Sequence, residues 1–166
     1  PFLRPMEMAT DKSPSIDLVK HAVLQIEEMD DTKIDAVMLL QPTNPLRVKE
    51  DIINSIELLD EESDSVISVV RVVEHHPAYM KKINDNGHLE SYCIEEIEGT
   101  RRQDFRPYAY KRDGAIYLSK RQSIIENNSL WGKNMKAYEI PEERGVGIDS
   151  RLDWMLVETL LKELKS

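Results

Sequence analysis

Gln41, Thr43, Asn44 and Arg47 fall within one turn, Gln41-Pro42-Thr43-Asn44-Pro45-Leu46-Arg47, that abruptly ends an apolar run, Val37-Met38-Leu39-Leu40. Two amides, a hydroxyl and a guanidinium at that spacing can hydrogen-bond a small polar substrate. The two prolines fix φ and remove two backbone donors, which stiffens the turn. The same residues also suit an ordinary strand-to-helix connection. A second constellation is Asp149, with Asp153 one turn later. Mg²⁺ takes one or two such hard carboxylates and completes its shell with water and phosphate oxygens. A carboxylate there can equally stabilise a helix dipole by about 0.3–1 kcal/mol. A third is the run Arg101-Arg102-Gln103-Asp104-Phe105-Arg106 with Lys111 and Arg112. Guanidinium forks bind carboxylates through paired hydrogen bonds, although charges of this kind also solvate an exposed sheet edge.

The elements that must position these groups follow from periodicity. Phe2-Leu3 reads as a strand end, with a loop through Pro14 and Ser15 as an N-cap. Ile16, Val19, Val23, Ile26 and Met29 recur at helical spacing and predict one apolar face. Asp35 to Leu40 reads as a short buried strand. Lys49 to Glu61 reads as a second helix with Ile52, Ile53, Ile56 and Leu59 inward. Ser65 to Val73 is β-branched and reads as a central strand. Residues 78–110 lose helical periodicity, and Asn84-Asp85-Asn86-Gly87 is a hairpin signal, so this stretch reads as an antiparallel excursion. Gly114 to Leu118 returns as a strand, Ser119 caps a short helix to about Asn127, and Met135 to Ile140 is a late strand. Ser150 with Asp153 forms a capping box for the last helix, whose expected buried face is Leu152, Met155, Leu156, Leu160 and Leu164. Strands alternating with helices predict a three-layer α/β fold with a mostly parallel sheet, and ligands bind such sheets beyond the strands' carboxyl ends. The Gln41 turn and the Asp149 loop both follow strands and are therefore expected to converge.

At 166 residues the chain reads as one domain, with 40% hydrophobic and 32% charged residues. A net charge of −9 argues against a general nucleic-acid binder. It leaves room for a local basic cluster that binds a small anion. No apolar run approaches a membrane span and no secretory signal stands at the start. The single cysteine, Cys93, rules out an internal disulfide and reads as a small semi-buried hydrophobe. These features fit a cytoplasmic location. His75 and His76 are adjacent, so in a strand they point to opposite faces and do not chelate one ion. One is expected buried and hydrogen-bonded, the other exposed. Gly145-Val146-Gly147 lacks the third glycine of a dinucleotide fingerprint.

Gln41-Pro42-Thr43-Asn44-Pro45-Leu46-Arg47 resembles the Gln-Pro-Thr-Ser-Pro-Leu-Arg motif of acylneuraminate cytidylyltransferases, the CMP-sialic acid synthetases. Further matches follow in that family's order: Leu3-Arg4-Pro5 with Ala9 and Asp11, Glu74-His75-His76-Pro77, Arg102-Gln103, Asp113-Gly114-Ala115-Ile116-Tyr117, and Gly147-Ile148-Asp149-Ser150 with Asp153. The resemblance implies a Rossmann-like nucleotidyltransferase fold and transfer of CMP from CTP to the anomeric hydroxyl of an acidic nine-carbon sugar, with release of pyrophosphate. It implies Mg²⁺ at Asp149, sugar-acid binding by Gln41, Thr43, Asn44, Arg102 and Gln103, and nucleotide binding by Arg4 and Ser15. It also implies a homodimer with shared active sites, in which residues 78–110 form a hairpin dimerisation arm. Two departures stand out. The family's Asp-Ile-Asp is Gly147-Ile148-Asp149 here, so the first acid is missing. The glycine- and basic-rich triphosphate loop has no counterpart, and Pro1 aligns just after that first nucleotide-binding unit. The alternatives are a non-catalytic dimerisation or sugar-binding module, and a cytidylyltransferase for pseudaminic, legionaminic or deoxy-octulosonic acid. Asn44, where the family commonly has serine, marks a change of sugar preference.

Overall fold

A computed structural model describes residues 2–10 and 12–163. Pro1, Asp11 and Leu164, which enter the expectations above, lie outside the described residues. Four helices and six strands form: α1 (Ser15–Asp30), β1 (Ala36–Leu39), α2 (Lys49–Leu58), β2 (Ser65–Val72), β3 (Lys81–Ile83), β4 (Leu89–Ser91), β5 (Ala109–Lys120), α3 (Arg121–Ile125), β6 (Met135–Glu139) and α4 (Arg151–Glu163). The main sheet has the order β1-β5-β2-β6, and β3 pairs with β4 as a separate hairpin.

The expectation of a mostly parallel sheet needs correction. β1, β2 and β6 run in one direction, but β5 lies antiparallel between β1 and β2, so only the β2–β6 pairing is parallel. The sheet is mixed because β5 enters from the end of the hairpin excursion and runs back through the middle. It is also longer than Gly114–Leu118. Its first half pairs Ala109 with Val72, and its second half pairs Leu118 with Val66, across a register shift opposite Ser68. The Ser68 hydroxyl fills that irregularity by accepting from the Ile116 N–H at 2.7 Å.

The strands bury both faces, as a layered α/β fold requires. Ala36 and Met38 of β1 join a core built on Val66, Val70, Ile116 and Ile140, while Val37 and Leu39 join a second core with Val19, Val23 and Ile124. α1 and α3 cover the second core. α2 meets the first side through Asp51 and Asn54, which both reach Tyr138.

Two helix starts and three helix phases differ from expectation. Pro14, not Ser15, takes the N-cap of α1 with no side-chain cap, and Lys120, not Ser119, takes that of α3. Ser119 is instead inside β5, donating to the Leu130 carbonyl. In α1, Val19 and Val23 are buried but Ile26 and Met29 are exposed. In α2 the buried residues are Asp51 and Ser55, while Ile53 and Ile56 face outward. In α4 Val157 is buried and Leu152, Met155 and Leu156 are exposed.

α2 and α4 share one feature at their starts. Each helix carries an acid at its third position that accepts from the backbone at its own start. Asp51 takes the Val48 N–H at 2.8 Å, and Asp153 takes the Ser150 N–H at 2.7 Å. On each helix the residues four and eight beyond that acid share its face. In α2 that is Ser55 and Leu59; in α4 it is Val157 and Leu161. The Ser150–Asp153 capping box is present, with the Asp153 N–H returning to Ser150 Oγ at 3.3 Å. Cys93 is exposed rather than semi-buried. Among the described residues no helix is long and apolar enough to cross a membrane.

Glu27 locks α1 to α3. Its carboxylate receives two guanidinium bonds from Arg121 (2.6 and 2.9 Å) and the Ile34 N–H at 3.0 Å. The Arg121 hydrogen bond, followed by that from Ile34, lowers its pKa from 4.5 to about 2. A depressed carboxyl contributes stability that is fully present above the unfolded value and is lost as pH falls through the folded one. Thermal unfolding followed from pH 5 to pH 2 should therefore show the parent losing stability faster than Glu27→Gln between about 4.5 and 2, the two curves converging at the acid end.

Candidate active site

The carboxyl ends of β1, β2 and β6 lie along one edge of the sheet, and the antiparallel β5 begins there. A cleft of about 470 Å³ opens at that edge. It is lined by the end of β2 from Val70 through His75, by Lys111 to Asp113 of β5, and by Glu142, the 145–149 loop and Asp153.

The two motif-bearing turns meet directly behind this cleft. The Ile148 N–H donates to the Thr43 carbonyl at 2.8 Å. Asn44, only 3% exposed, donates from Nδ2 to the Asp113 carbonyl at 2.7 Å. Arg47 donates to the Ala115 carbonyl at 2.8 Å. The turn is thus fastened to β5 by the side chains of Asn44 and Arg47 and to the Asp149 loop through the backbone. Asn44 acts on the cleft as a strut, through the backbone of Asp113. Gly114 makes the close approach possible: its φ is +89°, and a Cβ there would lie 2.7 Å from Gln41 Oε1 and 2.9 Å from Asn44 Oδ1. Pro42, Pro45 and Ile148 line a smaller apolar crevice with Trp154, Val157 and Leu161 of α4, so the turn's stiff rings also seat that helix.

Gly147 adjoins both Asn44 and Asp149. A Cβ at this position would sit 3.4 Å from Asn44 Nδ2 and 3.8 Å from Asp149 Oδ2, an ordinary contact distance. An acid at 147 would therefore stand beside Asp149 without displacing anything. With glycine present, Asp149 is the one carboxylate of this loop that is free to face a ligand. Asp153 is committed to the helix cap, and the Ser150 hydroxyl leads the hydrogen bonds that hold its carboxyl below the usual range. Asp113 has one oxygen bonded to Ser68 and the Ala115 N–H, while Oδ2 is buried without a partner. No group of three or more acidic, histidine or cysteine side chains is arranged to hold a metal among the described residues. This donor set fits an ion that keeps its waters and takes phosphate oxygens, and does not fit an all-protein cage.

The other sequence-derived candidates are placed less centrally. Arg102 lies in a single 3₁₀ turn with Gln103 and is paired with Glu74 at 2.8 Å. Glu74 lines the cleft, so Arg102 stands at its mouth. Arg4 donates to the Met8 carbonyl within its own segment, and Ser15 is exposed at the start of α1. Neither is among the cleft-lining residues. His76 is buried at 3% exposure and hydrogen-bonded, and His75 is exposed, as their adjacency predicts.

Asp51 and Arg144 were not anticipated. Asp51 is fully buried and receives Arg144 Nη1 and Nη2 on its two carboxylate oxygens, with Tyr138 OH at 3.1 Å. Burial pushes its carboxyl up. The hydrogen bonds from Arg144, the Val48 N–H and Tyr138 more than offset this and hold it below the usual range. The pair is 93 residues apart in sequence, and Asp51 at the third position of α2 was its only local signal.

An α/β sheet whose cleft opens at the carboxyl ends of its strands is consistent with a Rossmann-like, ligand-binding α/β protein. The chain is 31% identical to CMP-N,N'-diacetyllegionaminic acid synthase of Legionella pneumophila, over 98% of this chain and 68% of that protein. It is 29% identical to post-translational flagellin modification protein B of Campylobacter coli, over 98% of this chain and 68% of that one. It is 30% identical to the N-acylneuraminate cytidylyltransferase of Escherichia coli, covering 96% of this chain but 36% of that enzyme. No family model matches the chain. The chain belongs to the acylneuraminate cytidylyltransferase family. It spans about two thirds of the length of the first two relatives and about a third of the third.

Removing one partner of a buried ion pair leaves an uncompensated charge and costs about 3–5 kcal/mol. Arg144→Met should lower unfolding free energy by that order in urea denaturation, whereas Arg102→Met, which breaks an exposed pair, should change it by less than about 1 kcal/mol.

Proposed function

We propose that this chain forms the sugar-acid and metal-carboxylate part of a cytidylyltransferase active site. In the reaction, the anomeric hydroxyl of an acidic keto-sugar attacks the α-phosphate of CTP. The new bond is from the sugar oxygen to phosphorus, the hydroxyl proton passes to solvent, the bond from the α-phosphorus to the oxygen bridging to the β-phosphate breaks, and pyrophosphate leaves with that electron pair. The observation that carries this reading is the junction of the Gln41–Arg47 turn with the Asp149 loop at the carboxyl edge of the sheet. Relatives named as cytidylyltransferase and CMP-sugar synthase support the same chemistry.

The roles proposed here follow from side-chain chemistry and the family resemblance. Gln41 and Thr43 supply hydrogen bonds to the sugar, and Asn44 fixes their turn. Arg102 and Gln103 receive the sugar's carboxylate at the cleft mouth. Arg4 and Ser15 are assigned to the nucleotide on the family resemblance. Asp149 holds Mg²⁺, which when bound neutralises charge on the phosphates. Phosphoryl transfer of this type is mostly positioning and charge neutralisation. Pyrophosphate release from CTP and Mg²⁺ should appear with one member of a panel of N-acetylneuraminic, legionaminic, pseudaminic and deoxy-octulosonic acids. Asp149→Asn should remove it, and Gly147→Asp should tighten Mn²⁺ binding about tenfold by calorimetry. Gly147 favours a second reading, a sugar-binding module without catalysis. Retained sugar binding with neither CTP heat nor pyrophosphate would select it.

The protein is further proposed to be a homodimer. Ile83 and Leu89 of the β3–β4 hairpin and the following Tyr92 are 73%, 70% and 66% exposed. A two-stranded hairpin is marginal alone in water and gains from a partner surface. Light scattering should return twice the 19.2 kDa chain mass; a monomer would remove the arm assignment.

A further inference from the structure

We infer that His76 is a positioning residue that pins the neck of the 77–106 excursion and thereby sets Arg102 and Gln103 at the cleft mouth. The imidazole is 3% exposed. Its Nδ1 accepts the Ala78 N–H at 3.2 Å, and its Nε2 lies 3.0 Å from the Pro107 carbonyl. An amide N–H needs a lone pair at Nδ1 and a carbonyl needs a proton at Nε2, so these partners specify the neutral Nε2–H tautomer. The ring also stacks on Phe105, with centroids 5.0 Å apart and planes 13° apart, and Tyr79 meets the other edge of that aromatic group at 5.0 Å.

These contacts join the strand-exit residues to the return segment of a loop some thirty residues long. The Glu74–Arg102 pair adds a fourth link, but both side chains are more than half exposed, and a pair of that kind is weak. The buried link is His76. Because Phe105 is only two residues beyond Gln103, fixing Phe105 and Pro107 fixes the turn that carries Arg102. His75, exposed and lining the cleft, has no such hold. This inference rests on the acidic-sugar reading above for its functional consequence, though the pin itself does not.

The test compares His76→Phe, which keeps an aromatic ring and deletes both hydrogen bonds, with Glu126→Gln, exposed just beyond α3 and outside the cleft, as control. In the unmodified chain, nitrogen-detected NMR should show the Nε2–H tautomer. In His76→Phe, amide exchange at residues 102–104 should accelerate at least tenfold while the amides of β2 and β6 keep their protection, which separates loss of the pin from unfolding. Calorimetry with N-acetylneuraminic and N,N'-diacetyllegionaminic acids, in the presence of CTP and Mg²⁺, should show about tenfold weaker binding for His76→Phe and no change for Glu126→Gln. Unchanged exchange at 102–104, or the Nδ1–H tautomer, overturns the pin. Exchange that accelerates while the unmodified chain binds neither sugar acid leaves the pin standing and overturns the substrate reading and its positioning role.

Discussion

A single buried carboxylate, Asp51, holds together three parts of this molecule that are distant in sequence. It closes the first turn of α2 through Val48, it accepts the Tyr138 hydroxyl from β6, and it receives the Arg144 fork from the loop that follows. That loop then delivers Gly145 against Val70 and Ile148 against Thr43. Leaving a buried carboxylate without partners is severely unfavourable, so α2, β6 and the 141–149 loop are constrained to arrive together. The geometry around Asp149 is a downstream result of this constraint.

Much of the site was legible because it is built from strand ends. Strands that run the same way present their following turns at the same edge, so the convergence of the Gln41 and Asp149 segments could be expected from alternation alone. The Ser150–Asp153 cap, the hairpin at Asn84–Gly87 and the opposite fates of His75 and His76 were equally local. The helix phases were not. Periodicity located apolar stripes on α2 and α4, but α2 turns the buried Asp51 inward and leaves Ile53 and Ile56 outside, and α4 buries Val157 and leaves Leu152 and Met155 outside. The Asp51–Arg144 pair and the antiparallel course of β5 depend on partners tens of residues away, and no window of sequence contains them.

The cleft departs from a symmetric acidic metal site in a specific way. Where the family pattern places two acids, this chain places one acid and a glycine with room beside it. The remaining negative charge nearby is distributed differently: Asp153 is bound into a helix start, and Asp113 is anchored to Ser68 in the sheet. Cations at the same edge, Lys111 and Arg112, come from the strand that carries Asp113. The charge lining the cleft therefore comes from β5, the Asp149 loop, Glu74 and Glu142, while the Gln41 turn braces that edge from behind.

The position of β5 has a consequence for how the chain must be made. β1 and β2 are not neighbours; each is paired to β5, which begins at residue 109. During synthesis, two of the three aligned strands emerge from the ribosome long before the one that joins them. Until then their edges are unpaired and available to the wrong partner. The hairpin between them, itself closed locally, shortens the effective separation that the nascent chain has to bridge.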